Sequence, residues 1–150
     1  MKKIYKLVML LSVLLPFSAY SACNTVNGKS YGDCSHTSLD SRQQGYVKVT
    51  SNKHVTGMIR GATIYSGGFL KLSGISNGDI SVNRGGKLIV NGIVNGVISN
   101  NGGTINVEGQ ASTINANSGF TTIGGIIGRV NGRGKIKYQN GAVVGGKPVK

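Results

Sequence analysis

One short motif in the sequence has the residue types of a catalytic nucleophile. Gly74 to Gly78 spell GISNG, which matches the G-x-S-x-G motif of hydrolases with Ser76 as the nucleophile. That motif needs a sharp turn between a strand and a following helix, and the residues around it do not predict a helix. We therefore expect Ser76 to be a structural residue that aligns with Val94 of the next repeat.

The acidic residues and histidines are too scattered to suggest acid–base or metal chemistry. Asp79 and Glu108 lie almost two repeat lengths apart, which favours solvated corner residues over a pair of catalytic carboxylates. Neither His36 nor His54 is placed with an acid in a pattern that indicates a triad. We predict a protein that is not an enzyme, with no catalytic residue, no cofactor and no metal.

Basic residues provide the clearest chemical signal. The chain has 17 Lys and Arg against 4 Asp and Glu, a formal net charge of +13. Such a charge attracts acidic partners, although it also keeps a protein soluble and protects strand edges from aggregation. The candidate partner-binding residues are Lys71, Lys87, Arg129, Arg133, Lys135 and Lys137.

The expected partner of these basic residues is an acidic protein or an anionic glycan. Lys87 and Lys135 are predicted to share a column with Phe69, Thr104 and Gly119, because each precedes the first apolar residue of its repeat. Nucleic acid is not expected, because the chain lacks an aromatic stacking pattern and carries an export signal.

The first residues predict a secretory signal peptide over residues 1–22. Lysines precede the apolar run Leu7–Leu15, Pro16 ends that run, and Ala19 and Ser21 supply the small residues that a signal peptidase recognises. The alternative, a membrane anchor, is disfavoured because the run is too short to cross roughly 30 Å of hydrocarbon. Cleavage after Ser21 or Ala22 would leave a periplasmic or secreted protein without a membrane span.

Two cysteines follow the predicted cleavage site. Cys23 and Cys34 are close in sequence, and an exported chain meets an oxidising compartment, so we predict one disulfide within an N-terminal cap segment, residues 23–44. One alternative is a lipoprotein with lipid on Cys23, but Tyr20 occupies the position where that signal prefers Leu. A zinc site formed with His36 lacks a fourth ligand.

Residues 45–150 repeat with a period of 15–18 residues. One column of apolar pairs is Leu70/Leu72, Leu88/Val90, Ile105/Val107, Phe120/Thr122 and Ile136/Tyr138. A second column is Ile64, Ile80, Ile98, Ile114 and Val130. Alternation within each repeat predicts strands of a few residues rather than helices, and so short a unit suits one coil of a β-solenoid.

The fold prediction is therefore all-β: a single-stranded β-solenoid, or β-helix, of about six coils. Coils would stack through backbone hydrogen bonds about 4.8 Å apart. The positions of Gly92 and Gly96 are predicted to require a small residue, because the walls of a narrow coil converge there. The frequent asparagines are expected at left-handed corners and in amide ladders between coils.

The run KLIVNGIVNGVISNNGGTINVEGQ, residues 87–110, resembles the repeats of bactofilin-type polymer-forming solenoids. It is also similar to the repeats of secreted autotransporter and haemagglutinin passengers. The resemblance covers residues 67–146 and implies a solenoid fold. It transfers no functional residue.

Together these features predict a small exported solenoid that presents a basic surface to an acidic partner at the bacterial cell envelope or outside the cell. One alternative is a periplasmic immunity-type inhibitor of a toxin, and another is a polymer-forming structural protein. The C-terminal sequence GGKPVK contains a proline and lysines that discourage strand pairing. We therefore expect a monomer or a limited end-to-end dimer.

Overall fold

The structure is a computed structural model that describes residues 24–26, 29–31, 38–39 and 44–149. These residues contain strands and no helix. The predicted signal peptide and the disulfide partners Cys23 and Cys34 lie outside the described residues, so both remain predictions.

The strands, in chain order, are β1 (Asn24–Val26), β2 (Lys29–Tyr31), β3 (Ser38–Leu39), β4 (Gln44–Val49), β5 (Asn52–Val55), β6 (Met58–Ile64), β7 (Phe69–Leu72), β8 (Ile75–Ser76), β9 (Ile80–Asn83), β10 (Lys87–Val90), β11 (Ile93–Val107), β12 (Gln110–Ile123), β13 (Ile126–Gly132), β14 (Lys135–Tyr138), β15 (Val143–Val144) and β16 (Lys147–Pro148). β1 and β2 form an antiparallel pair apart from the others.

β16 pairs antiparallel with β15. The remaining strands, β3 to β15, pair in three parallel ladders, and each complete coil contributes one segment to each ladder. The first ladder joins β3, β5, β7, β10, the last four residues of β11 and of β12, and β14. The second joins the starts of β6, β11, β12 and β13 with β8 and β15. The third joins β4 and β9 with the middle or end of β6, β11, β12 and β13. These stacked parallel coils, about six turns of them, confirm the β-solenoid.

The strands are longer than the sequence indicates. β11 runs for 15 residues and β12 for 14, passing through the second, third and first ladders without interruption. Their mutual pairing shifts register between Val94 and Val97 and again between Asn100 and Thr104. The corners are therefore bends within hydrogen-bonded strands. The pairing survives the corner because the strand of the neighbouring coil bends at the same place.

Aliphatic columns fill the inside of the coil. In the third ladder, Ile98 pairs with Ile80 on one side and Ile114 on the other, and all three are fully buried. The first ladder buries Leu70, Leu88 and Ile105 in the same way. Like side chains lie over like, which is how a thin core excludes water along its whole length.

Three predicted column members are wrong: Ile64, Phe120 and Thr122. Ala62, not Ile64, pairs with Ile80, whereas Ile64 is buried in the adjacent column beside Val82. In the fifth repeat the inward pair is Thr121 and Ile123, because they pair with Ile105 and Val107. Phe120 therefore points outward.

The close approach of successive coils explains why glycine occupies the corner at position 92. A Cβ on Gly92 would collide with the carbonyl oxygen of Gly74 in the preceding coil. The predicted cause, convergence of the walls across the core, is wrong: the obstacle is the backbone of the stacked neighbour.

Asparagine ladders connect the corners, as predicted. Asn95 donates its side-chain amide to Asn77 (3.0 Å), Asn117 to Asn101 (2.9 Å), and Asn131 to Asn115 (3.1 Å). Each bond joins equivalent positions of successive coils and so holds their register.

Candidate functional site

The outward side chains of the first ladder form two parallel columns that run along the solenoid axis. In the first column the register aligns Asn52, Phe69, Lys87, Thr104, Phe120 and Lys135. In the second it aligns His54, Lys71, Ile89, Asn106, Thr122 and Lys137. We call these twelve residues the lysine face.

Four of the six basic residues singled out in the sequence lie on the lysine face, all of them exposed: Lys71, Lys87, Lys135 and Lys137. Arg129 belongs to the third ladder, where it pairs with Thr113. Arg133 is exposed between the third-ladder strand β13 and the first-ladder strand β14. The structure thus groups the four lysines and separates Arg129 from them.

The predicted column of Lys87 and Lys135 needs one correction. Phe69 and Thr104 do align with Lys87, but Phe120, rather than Gly119, pairs with Lys135. The inward position next to it is taken by Thr121, whose hydroxyl is bound by a buried asparagine. An aromatic ring therefore stands directly beside a lysine on the outer surface.

Acidic side chains are missing from the lysine face. The described acids are Asp79 and Glu108. Asp79 accepts a hydrogen bond from the backbone N–H of Val97 (2.8 Å) in the third ladder. Glu108 lies at the border of the face and accepts amide hydrogen bonds from Asn91 and Asn106, both at 3.0 Å. Among the described residues, the four lysine charges therefore face solvent without a carboxylate between them, which favours a positive local potential.

Both phenylalanines of the lysine face have lysines as neighbours. Phe120 is 58% exposed, and the Nζ of Lys135 lies 5.1 Å from the centroid of its ring, a cation–π geometry. Phe69 lines a recess of about 440 Å³ together with Lys87, and a second of about 180 Å³ together with Lys71. Neither ring was predicted to be functional, although the shared column of Phe69 and Lys87 in the repeats already places an aromatic residue beside a lysine.

A second concave surface, the glycine groove, follows the corner between the first and second ladders and has a volume of about 620 Å³. Its floor consists of Gly74, Gly92, Gly109 and Gly125. One wall is polar, with Ser73, Asn91 and Glu108, and the other carries Ile75, Ile93 and Ile126. Ile93 and Ile126 are 38% and 52% exposed. Among the described residues that line the groove, Glu108 alone is charged, so the groove lacks the positive character of the lysine face.

The motif around Ser76 has no catalytic geometry. Ser76 pairs with Val94, as predicted, is completely buried, and donates its hydroxyl to the carbonyl of Gly78 (2.9 Å). Within the described ranges, no cluster of three His, Cys, Asp or Glu side chains could hold a metal ion.

No protein-family model, curated protein or solved structure matches this chain. Among the described residues there is also no helix long and apolar enough to cross a bilayer. Function is therefore inferred from the lysine face itself.

Proposed function

We propose that the protein is a small exported, non-enzymatic β-solenoid that binds an acidic partner through the lysine face, at the bacterial cell envelope or outside the cell. The observation that carries this proposal is the alignment of Lys71, Lys87, Lys135 and Lys137 on one strand face that contains no acid.

The stacking of coils gives the lysine charges a fixed arrangement. Lys71 and Lys87 are on adjacent strands, whose backbones lie about 4.8 Å apart. Lys135 and Lys137 are on the same strand and point to the same side, because side chains alternate along a strand. Like charges held this close repel one another, and an acidic partner relieves that repulsion while forming charge-assisted hydrogen bonds.

The experiment compares two variants with equal net charge. In the first, Lys71, Lys87, Lys135 and Lys137 are all changed to Gln. In the second, four exposed basic residues outside the face are changed to Gln: Lys48, Arg60, Arg84 and Arg129. Binding of polyglutamate and of polygalacturonate is measured by fluorescence anisotropy as a function of salt concentration.

We expect the first variant to lose roughly tenfold or more in affinity at low salt, because each exposed ion pair contributes up to about 1 kcal/mol. The second variant should bind like the unmodified protein. Equal losses in both variants would show that net charge alone determines binding, and the proposal would then be wrong.

A further inference from the structure

We infer that the acidic partner is a linear anionic polysaccharide that lies along the solenoid axis on the lysine face. This inference rests on the proposed function and adds the class of ligand. It follows from the shape of the face, the position of its two aromatic rings and the polar groups around them.

The lysine face is long and narrow. Six stacked strands (β5, β7, β10, the ends of β11 and β12, and β14), each four residues wide, cover on the order of 300 Å² from the strand spacing and the rise per residue. The strip is one strand segment wide and six coils long, which matches the footprint of a single extended chain.

The two rings of the face stand in one column, separated by the strands that carry Lys87 and Thr104. Phe69 and Phe120 are therefore three coils apart, about 14 Å from the strand spacing. A pyranose ring has an apolar face of C–H groups that packs flat against an aromatic ring. Phe69 can support one sugar, and Phe120, which is 58% exposed, can support another on the side of its ring away from the Nζ of Lys135. A linear pyranose chain advances per sugar by roughly the coil spacing, which places successive sugars over successive coils.

Polar groups for sugar hydroxyls and acids surround Phe69. The recess shared with Lys71 is lined by Asn52 and His54 as well. The Nε2 of His54 lies 2.9 Å from the hydroxyl of Ser73, which fixes the imidazole ring. Asn52 also lines the recess on the Lys87 side. A sugar on Phe69 would thus have a lysine on either side for its carboxylate, sulfate or phosphate.

Single-stranded nucleic acid also combines stacking with negative charge, but it fits the face less well. Proteins that bind it stack successive bases on aromatic rings, whereas the two positions between Phe69 and Phe120 are occupied by Lys87 and Thr104. The column offers lysine–aromatic neighbours at intervals, an arrangement that suits a chain of sugar rings with acid groups as substituents.

The test uses variants that remove the rings and retain the charge. In F69L/F120L the apolar bulk is kept while the aromatic faces are lost. A matched control, I93A/I126A, alters exposed apolar side chains in the glycine groove. The probes are an oligogalacturonate, a heparin oligosaccharide, polyglutamate of equal charge and a single-stranded oligonucleotide, with affinities measured by isothermal titration calorimetry. Thermal melting verifies that each variant is folded.

We expect F69L/F120L to bind the oligosaccharides at least fivefold more weakly, with polyglutamate binding unchanged and the control variant normal. Oligogalacturonate carries carboxylates only and heparin carries both carboxylates and sulfates, so the two affinities show whether sulfate strengthens binding. If the ring substitutions leave oligosaccharide affinity unchanged, or if polyglutamate or the oligonucleotide binds more tightly than either oligosaccharide, the glycan inference is wrong while binding of an acidic partner stands. If none of the four probes binds, the proposed function fails as well.

Discussion

The side-chain amide of Asn100 donates a hydrogen bond to the hydroxyl of Thr121 over 3.0 Å, and both residues are buried inside the solenoid. The same amide donates to the carbonyl of Phe120, and its oxygen accepts the backbone N–H groups of Gly102 and Gly103. One asparagine thus fixes its own corner and the equivalent corner of the next coil. This polar contact also turns Phe120 outward, onto the lysine face.

Replacing Asn100 should be costly. Asn100→Ala would leave buried polar groups at Thr121 and Gly103 without this partner, and each such group costs about 1–3 kcal/mol. We expect the free energy of unfolding to fall by about 2–4 kcal/mol in urea denaturation. The matched control is Asn101→Ala, because Asn101 is exposed and its bonds to Ser81 and Asn117 are open to water. Equal losses in the two variants would contradict a structural role for the buried amide.

The sequence predicts the repeat, the strand class and most inward positions, because apolar side chains at period two leave few other arrangements for so short a unit. It does not predict the inward position of Thr121. Hydrophobic alternation prefers Phe120 there, whereas in the structure Thr121 points inward and is hydrogen-bonded to Asn100, 21 residues away.

The sequence also cannot separate Arg129 from Lys135. The two residues are six positions apart, but the chain passes from the third ladder to the first between them. The position of a bend within one coil depends on the position of the bend in the coil stacked against it. A short segment of sequence does not contain that information.

The core column around Ile98 supplies a test of inside and outside positions. Ile98→Asp would bury a charge between Ile80 and Ile114, which should unfold the protein or lower its stability by about 4 kcal/mol or more. Ile89 lies on the lysine face and is only partly buried, so Ile89→Asp should be far milder. Thermal denaturation followed by circular dichroism at 218 nm, a β-sheet wavelength, measures both. If both variants melt like the unmodified protein, the inward assignment of Ile98 is wrong.

The glycine groove should tolerate no side chain on its floor. In Gly92→Ala the new methyl group meets the carbonyl oxygen of Gly74, and relief requires the two coils to separate. We expect a loss of about 1–3 kcal/mol, as for other overpacked positions. Gly45→Ala is the control, since a Cβ there has no atom within 4 Å. Chemical denaturation measures the free energy of unfolding of both variants. An unchanged stability of Gly92→Ala would contradict this prediction, because it would show that the two coils can separate without cost.

The predicted disulfide can be tested on exported protein. Cys23 and Cys34 should be bonded to each other and should add about 2–3 kcal/mol through loop closure. Titration of free thiols in unreduced protein should find none, and reduction should lower the melting temperature. Two reactive thiols, or a lipid attached to Cys23, would contradict the prediction.

The separation of Arg129 from the lysine face leads to a test with single substitutions. Lys137→Gln and Arg129→Gln each remove one exposed positive charge, so both variants have the same net charge. Because Lys137 pairs with Thr122 in the first ladder and Arg129 with Thr113 in the third, only Lys137→Gln should weaken binding of an acidic probe. We expect a loss of about two- to fivefold at low salt, the size of one exposed ion pair. The loss should shrink as salt rises, because the Debye length falls to about 8 Å at 0.15 M ionic strength.

Anisotropy titrations with labelled polygalacturonate at two salt concentrations measure the affinity of both variants. If Arg129→Gln weakens binding as much as Lys137→Gln does, the acidic partner responds to the charge of the whole solenoid and not to one face of it.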